Sequence, residues 1–269
     1  MMRSVLPSLL LLLLVPLATS AQLVGFGGPV AQSDLLYLAG QPRLAYETLR
    51  THLAADSADY EALWRAARAA VVVGFYEEGS RVQNGWLDPA MHYSNLAVEL
   101  RPEGLDGVYW RGAATGRRAL NASPGYATEL GQRVYDDAHR ILAVDSLHGG
   151  AHHILGQLNY EIMSLSRIQR ALARIFMGND ALDDASWANA EFHLARAAET
   201  WPEFVLFHSD LGQLYRKRGR REEAAISFRR VLELPPVHPI DERLQAQARD
   251  FLEEWGELEV SVAAESGQG

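Results

Sequence analysis

Three histidines and a glutamate lie close together in the stretch LHGGAHHILGQLNYEI, residues 147–162. His148, His152 and His153 supply imidazole nitrogens, and Glu161 adds a carboxylate two helical turns further on. These groups bind zinc in many proteins, provided that they converge and that further hydrogen bonds hold them in place. The first question is therefore whether this stretch is a metal site or a helix that happens to carry histidines.

The spacing favours the helix. If Gly156 occupies the small-residue position of a helical repeat, His152 packs against a neighbouring helix and His153 faces the inner surface of the repeat. His148 is predicted to lie in the turn before the helix, and no HExxH sequence occurs in the chain. His153 and Glu161 would lie about 12 Å apart along the helix axis, too far to share a proton directly. We therefore predict no metal site here.

No other pattern in the chain predicts catalysis. There is no nucleophile elbow and no cysteine, and the glycines of GFGGP, residues 25–29, do not follow a strand as a phosphate-binding loop would. An enzyme would need a hidden acid–base site. The sequence thus predicts a protein that is not an enzyme and that has no cofactor.

The charge balance limits the class of partner. The chain has 269 residues, of which 48% are apolar, and a formal net charge of -9. An acidic chain is repelled by phosphate backbones, so we expect no nucleic-acid partner.

The N-terminal segment predicts export. Arg3 precedes an apolar run over residues 5–17, and small residues follow at positions 18–21. That order is typical of a secretory signal peptide, which we assign to residues 1–21. The alternative is a membrane anchor, but the run is shorter than the ~20 residues that span a bilayer. We expect a periplasmic or secreted protein without a stable membrane anchor after cleavage, and a disordered tail at 258–269.

Internal repetition predicts the fold. AEFHLARAAETWPEF (190–204) and AAISFRRVLELPPVH (224–238) superimpose with an offset of 34 residues, and Leu211, Gly212 and Tyr215 lie between them. These residues resemble the tetratricopeptide repeat (TPR), in which small residues let two antiparallel helices approach closely. We expect an all-α, TPR-like helical-repeat solenoid over residues 22–257, a right-handed superhelix of about four antiparallel helix pairs. The best repeat is 203–236.

Two further features of the solenoid can be predicted. The separations from Gly112 to Gly156 and from Gly156 to Gly212 are 44 and 56 residues, so insertions should lengthen the middle repeats. An apolar face formed by Leu165, Ile168, Leu172 and Ile175 could be an exposed partner-binding stripe. We expect it to be buried instead, because amphipathic helices usually pack their apolar face against the core of their own protein.

Residues of about 100–254 also resemble one family more closely. The run HILG at 153–156, the pair Tyr160-Glu161, the helix from Leu165 to Gly178 and the upstream segment DGVYWRG (106–112) are similar to motifs of the regulator of microtubule dynamics family. Arg167 stands where that family commonly has Trp, and Gln169 replaces an acidic residue. The resemblance implies a TPR fold and a binding protein.

The repeat register predicts which residues line the inner groove of the solenoid. The first helix of each pair lines the inner wall of such a superhelix, and aromatic, amide and guanidinium groups there suit an extended peptide. We predict that the chain is a scaffold or adaptor for a protein or peptide; the alternatives are a periplasmic accessory subunit of a solute transporter, or a cytoskeleton- or organelle-associated adaptor. The predicted groove residues are Tyr109, Arg117, His153, Gln157, Tyr160, Glu161, Gln213, Arg216 and Lys217, with Trp64, Arg68 and Ser209 beside them.

Overall fold

The computed structural model describes residues 27–257, and every regular element in that range is helical. The predicted signal peptide, 1–21, and the predicted tail, 258–269, lie outside the described residues. The helices are α1 (Gly28–Leu38), α2 (Pro42–Ala55), α3 (Tyr60–Tyr76), α4 (Ser80–Leu100), α5 (Leu105–Ala119), α6 (Pro124–Val144), α7 (Gly149–Ser164), α8 (Arg167–Met177), α9 (Asp180–Asp183), α10 (Trp187–Thr200), α11 (Val205–Lys217), α12 (Arg221–Glu233) and α13 (Asp241–Glu254).

Four helix pairs form the body of the solenoid. They are α3 with α4, α5 with α6, α7 with α10, and α11 with α12. Helices α1 and α2 pack together before the first pair, and α13 packs on α11 and α12 at the other end. The predicted all-α, TPR-like fold is confirmed.

Glycines fix the close approach within the pairs. A Cβ atom added to Gly156 would lie 2.6 Å from Cγ of Leu194 and 2.9 Å from its backbone nitrogen, so α7 and α10 touch almost backbone to backbone. A Cβ on Gly212 would lie 2.6 Å from the ring of Phe228 on α12. Both glycines therefore occupy the small-residue position that the 34-residue register predicts.

The longest repeat contains an insertion. Helix α7 pairs with α10 rather than with the next helix in the chain, and α8 and α9 lie between them in sequence. This inserted segment, 165–186, accounts for the long separation between Gly156 and Gly212.

The expectation of a buried apolar face on α8 is wrong. Leu165, Ile168, Leu172 and Ile175 are all exposed, whereas Ala173 on another side of the helix is buried. Hydrogen bonds from two arginines explain this orientation of α8. Arg170 donates to the carbonyls of Met163 and Leu165 at the end of α7, and Arg174 donates to the carbonyl of Leu182 on α9, so these bonds turn the opposite side of α8 inward.

The two ends of the solenoid meet. The Tyr37 ring, on α1, lies edge-on to the His238 ring between α12 and α13, with 6.4 Å between the ring centres. Nη1 of Arg243, on α13, donates to the backbone carbonyl of Phe75, on α3, at 3.4 Å. These contacts join the N-terminal helices to the C-terminal ones. In the described part of the chain, no helix combines the length and apolar character that a membrane span requires.

Candidate binding groove

The inner groove is lined by α5, α7 and α11, the first helices of three successive pairs. At its centre the charged side chains of Arg117 (α5), Glu161 (α7) and Asp210 (α11) influence one another electrostatically. We call these three residues the central charge cluster. Each comes from a different repeat, so the cluster exists only because the repeats stack.

Arg117 contributes the guanidinium group of the cluster. Its side chain is half-buried, and its Cζ atom lies 4.5 Å from the centre of the Phe75 ring. Burial lowers the pKa of Arg117, and the nearby charges of Asp210 and Glu161 oppose that shift. Within residues 27–257 its guanidinium makes no hydrogen bond and no ion pair, so its N–H groups have no acceptor in that range.

Glu161 is the acidic counterpart. Its side chain is half-buried, and this burial raises the pKa of its carboxyl group. The positive charges of Arg117 and Lys217 lower that pKa in part, and the charge of Asp210 raises it further. Glu161 therefore sits in a poorly solvated groove with cations nearby but without direct pairing to them in the described residues.

Asp210 and His153 form the fixed part of the site. Nε2 of the buried His153 lies 2.7 Å from Oδ2 of Asp210, and the imidazole stacks on the Phe207 ring at 4.7 Å between centres. Because helix α7 contributes the imidazole and α11 the carboxylate, this contact joins two repeats. It also holds the Asp210 carboxylate near Arg117.

Other predicted residues extend the groove. The half-buried Tyr160 meets the Trp187 ring edge-on at 6.0 Å, and burial raises the pKa of its hydroxyl group. Gln213 accepts a hydrogen bond from Nε of Arg216 at 3.0 Å, and the Arg216 guanidinium lies 4.5 Å from the Phe251 ring centre. Gln157 is half-buried one turn before Glu161, and Lys217 is exposed at the end of α11.

Some predicted groove residues serve packing. Tyr109 is half-buried between repeats, with its ring 5.7 Å from His148 and close to Gly150. The buried Trp64 donates from Nε1 to Glu61 at 3.0 Å. Arg68 is paired with Asp34 on α1, Ser209 is buried, and neither lies in the central charge cluster.

Of the three histidines in residues 147–162, His153 belongs to the groove, whereas His148 and His152 make structural contacts. His148 caps α7, where its Nδ1 accepts from the backbone N–H of Ala151 at 3.1 Å. Nδ1 of His152 lies 2.9 Å from Nδ1 of His193 on α10, and its Nε2 lies 3.1 Å from the carbonyl of Ser146. In residues 27–257 no group of three or more His, Asp or Glu residues is placed to hold a metal ion.

Sequence comparison decides the family. The model of the family described as regulator of microtubule dynamics protein 1-3 matches residues 30–256, most of the chain. The chain belongs to this family. The resemblance seen in residues 100–254 is thereby confirmed, and it extends further toward the N-terminus than the motifs indicate. No curated protein sequence matches the chain significantly.

Solved structures of TPR proteins are similar in fold to this regulator of microtubule dynamics family member. The thermophilic TPR protein TTC0263 of Thermus thermophilus is 20% identical, with a TM-score of 0.58 over 84% of this chain and 97% of that one. MamA from Desulfovibrio magneticus RS-1 is 18% identical, with a TM-score of 0.43 over 78% and 97% of the two chains. YrrB, described as a TPR protein with an unusual peptide-binding site, is 16% identical, with a TM-score of 0.38 over 82% and 90%.

The prediction from sequence missed three residues of this family member that contact or lie near predicted groove residues. Asp210 lies three residues before Gln213 and so shares its helix face, a signal that was available. Phe75 ends a helix whose Leu-Gly motif is replaced by Ala66-Ala67, so the register is weak there. Asp34 lies before the first recognisable repeat, and only the structure shows that it binds Arg65 and Arg68.

A second concavity opens where the two ends of the solenoid meet. It has a volume of about 820 Å³ and lies between the turn after α1 and the loop before α13. Exposed Leu38, Leu44, Tyr76 and Val237 line it, and the Arg43–Glu77 ion pair, 2.6 Å long, borders it. This cleft combines distant parts of the chain and has no signature in the sequence.

Proposed function

We propose that the protein is a non-enzymatic, exported scaffold that binds a protein or peptide through its inner groove. The observation that carries the proposal is the central charge cluster, in which Arg117 and Glu161 are half-buried without a direct partner among the described residues. Leaving charged groups in a poorly solvated place costs free energy. A ligand that pairs with both groups would offset this cost.

The chemistry of the groove suits a polypeptide. The Arg117 guanidinium can donate to a carboxylate or to backbone carbonyls, and the Glu161 carboxylate can accept from N–H groups. A peptide carries both kinds of group along its length. The rings of Phe75 and Tyr160 next to these charges offer apolar surface to its side chains.

A pull-down from the native exported fraction tests this proposal. Wild type is compared with the double variant Arg117→Ala/Tyr160→Ala, and with Ile226→Ala/Arg230→Ala as a control on the exposed side of α12. We expect wild type and control to retain the same protein partner, and the groove variant to lose it while its helical circular dichroism is unchanged. A partner held equally by all three proteins would contradict groove binding.

Export is tested separately by the mass of the mature chain. We expect the purified protein to begin at Ala21 or Gln22, because the small residues before these positions match a signal-peptidase site. A full-length mass from a cytoplasmic fraction would contradict the export part of the proposal and leave the groove test intact.

A further inference from the structure

Helix α8 presents apolar side chains to solvent. Ile168, Leu172 and Ile175 are 72%, 48% and 73% exposed, and Leu165 just before the helix is also exposed. They lie on one side of the helix, since positions 168, 172 and 175 follow the spacing of one helical face. Isolated exposed aliphatic residues are common on protein surfaces, but a continuous stripe marks an interaction site.

The orientation of α8 is built into the fold. Arg170 donates from Nη1 to the carbonyl of Met163 at 2.7 Å and also to that of Leu165. Arg174 donates from Nη2 to the carbonyl of Leu182 at 2.9 Å. The Ser166–Gln169 capping box fixes the first turn.

The buried side of α8 confirms this orientation. Ala173 is buried against the body. At 100° per residue, Ile168 and Ile175 lie about 140–160° round the helix from Ala173. The arginines therefore hold the helix with its apolar side facing away from the other described residues.

The charge of this segment differs from that of the chain. Helix α8 contains three arginines, Arg167, Arg170 and Arg174, and no acidic residue, although the whole chain has a net charge of -9; the aspartates of the inserted segment, at 180, 183 and 184, follow in and after α9. Arg167 is exposed at the first turn. A short helix with an apolar face, an exposed arginine next to that face and no acidic residue shares these features with helices that lie in the interface of an anionic bilayer.

We propose that α8 is a membrane-contact helix that lays Ile168, Leu172 and Ile175 into the surface of an anionic lipid bilayer. The aliphatic side chains enter the boundary between headgroups and acyl chains, and Arg167 pairs with lipid phosphates. One helix of this length gives reversible attachment, in contrast to an anchor that spans the bilayer. The proposal concerns the inserted segment and is independent of the groove.

A second copy of the chain fits this face less well than a lipid surface. Pairing two α8 helices would leave the exposed Arg167 of each copy without an acidic partner from the other α8, since the helix contains no acidic residue. Four aliphatic side chains also supply far less than the about 800 Å² per partner of a standard protein interface.

Site-specific fluorescence tests the proposal in the full chain. The sequence has no cysteine, so Ile175→Cys gives a single attachment point for an environment-sensitive NBD label. Ile226→Cys on α12 is the matched control, since Ile226 is 64% exposed on a helix with glutamates. Vesicles of phosphatidylcholine alone and of phosphatidylcholine with phosphatidylglycerol are then added. Because each label reports on its own position, membrane binding by the apolar run at 5–17 does not mimic the signal.

We expect the emission of the label at position 175 to shift to the blue with anionic vesicles, and much less with neutral ones. The label at 226 should not shift, and adding Ile168→Ser and Leu172→Ser to Ile175→Cys should weaken the response at least about tenfold. Equal shifts at 175 and 226, or none at 175, would overturn the proposal. A shift at 175 that appears only with rising protein concentration, or only with added protein partners, would assign the face to a protein and would also overturn it.

Discussion

Helices α8 and α12 are built from the same kinds of residue and use them in opposite ways. In α12, Phe228 and Val231 are buried, and Arg229 and Arg230 face solvent. In α8 the aliphatic side chains face solvent, and Arg170 and Arg174 donate to backbone carbonyls of α7 and α9. An amphipathic pattern thus defines two faces of a helix, and the neighbouring groups decide which face is turned inward.

The acceptors next to α8 explain the difference. The carbonyls of Met163 and Leu165 lie at the C-terminal end of α7, where the last carbonyls of a helix have no partner within it. Arg170 satisfies both of them. Helix α12 instead meets Gly212, whose missing side chain leaves room for the Phe228 ring. The apolar face of α12 therefore has a place to pack.

The largest expected effect separates the two faces of α12. Phe228→Ala should lower the free energy of unfolding by about 3–5 kcal/mol, because it leaves a cavity in a fully buried site. Ile226→Ala, on the exposed face of the same helix, should change it by less than about 0.5 kcal/mol. Urea denaturation followed by circular dichroism measures both. Similar losses for the two variants would contradict the orientation of α12.

Gly156→Ala should destabilise the protein by about 2 kcal/mol. The new Cβ would meet the backbone nitrogen of Leu194, so α7 and α10 must move apart, which outweighs the better helix propensity of alanine. Gly112→Ala is the control. Its Cβ would lie 3.2 Å from the flexible tip of Ile154, so its cost should be close to zero. Thermal denaturation compares the two, and an equal loss in both would refute the tighter contact at Gly156.

The His152–His193 contact between α7 and α10 should make stability depend on pH. Burial, and then the nearby His152 and His139, lower the pKa of His193 to about 4 from its ordinary 6.5. Between these values the unfolded chain binds a proton that the folded chain does not. Stability is therefore full above pH 6.5 and should fall by about 2 kcal/mol as the pH drops to 4.

His193→Gln tests the source of that pH dependence, because it keeps a donor for His152 and removes the titrating ring. Denaturation midpoints between about pH 7.5 and 4 should vary less in this variant than in wild type. Some dependence should remain, since burial also lowers the pKa of His152. An unchanged slope would show that His193 is not the titrating group.

The smallest expected effect belongs to α8. Ile168→Ser/Ile175→Ser should change the free energy of unfolding by less than about 0.5 kcal/mol, because both side chains are already largely exposed. The same denaturation assay applies. A loss of about 2 kcal/mol or more would mean that the stripe packs against the body, and the contrast with α12 would then fail.

The parts that sequence reasoning predicted depend on local periodicity. The 34-residue offset placed Gly212, and the Leu-Gly motif placed Gly156, because close helix packing restricts those positions to small residues. The inward side of α8 was not predictable in this way, since it depends on acceptors at Met163, Leu165 and Leu182 that only folding brings together. The contacts between the two ends of the solenoid could not be predicted from the sequence for the same reason.

The candidate site was predicted in part. Stacking of the repeats brings together Arg117, His153, Glu161 and Lys217, which the register had placed on one wall. Asp210 was missed although its spacing from Gln213 identified its face. Tyr109 lies on a helix that lines the groove, but its ring is taken up by the contact between repeats, which periodicity alone does not reveal.

Photo-crosslinking in the cell fraction that contains the native protein tests groove binding most directly. A photoreactive residue is introduced separately at Gln157 in the groove, at Ile175 on α8 and at Ile226 on α12. We predict a covalent adduct with a polypeptide from position 157 only, and its loss when Arg117→Ala is added. Adducts from position 226 alone, or an adduct from 157 that persists with Arg117→Ala, would contradict the assignment of the groove as the binding site.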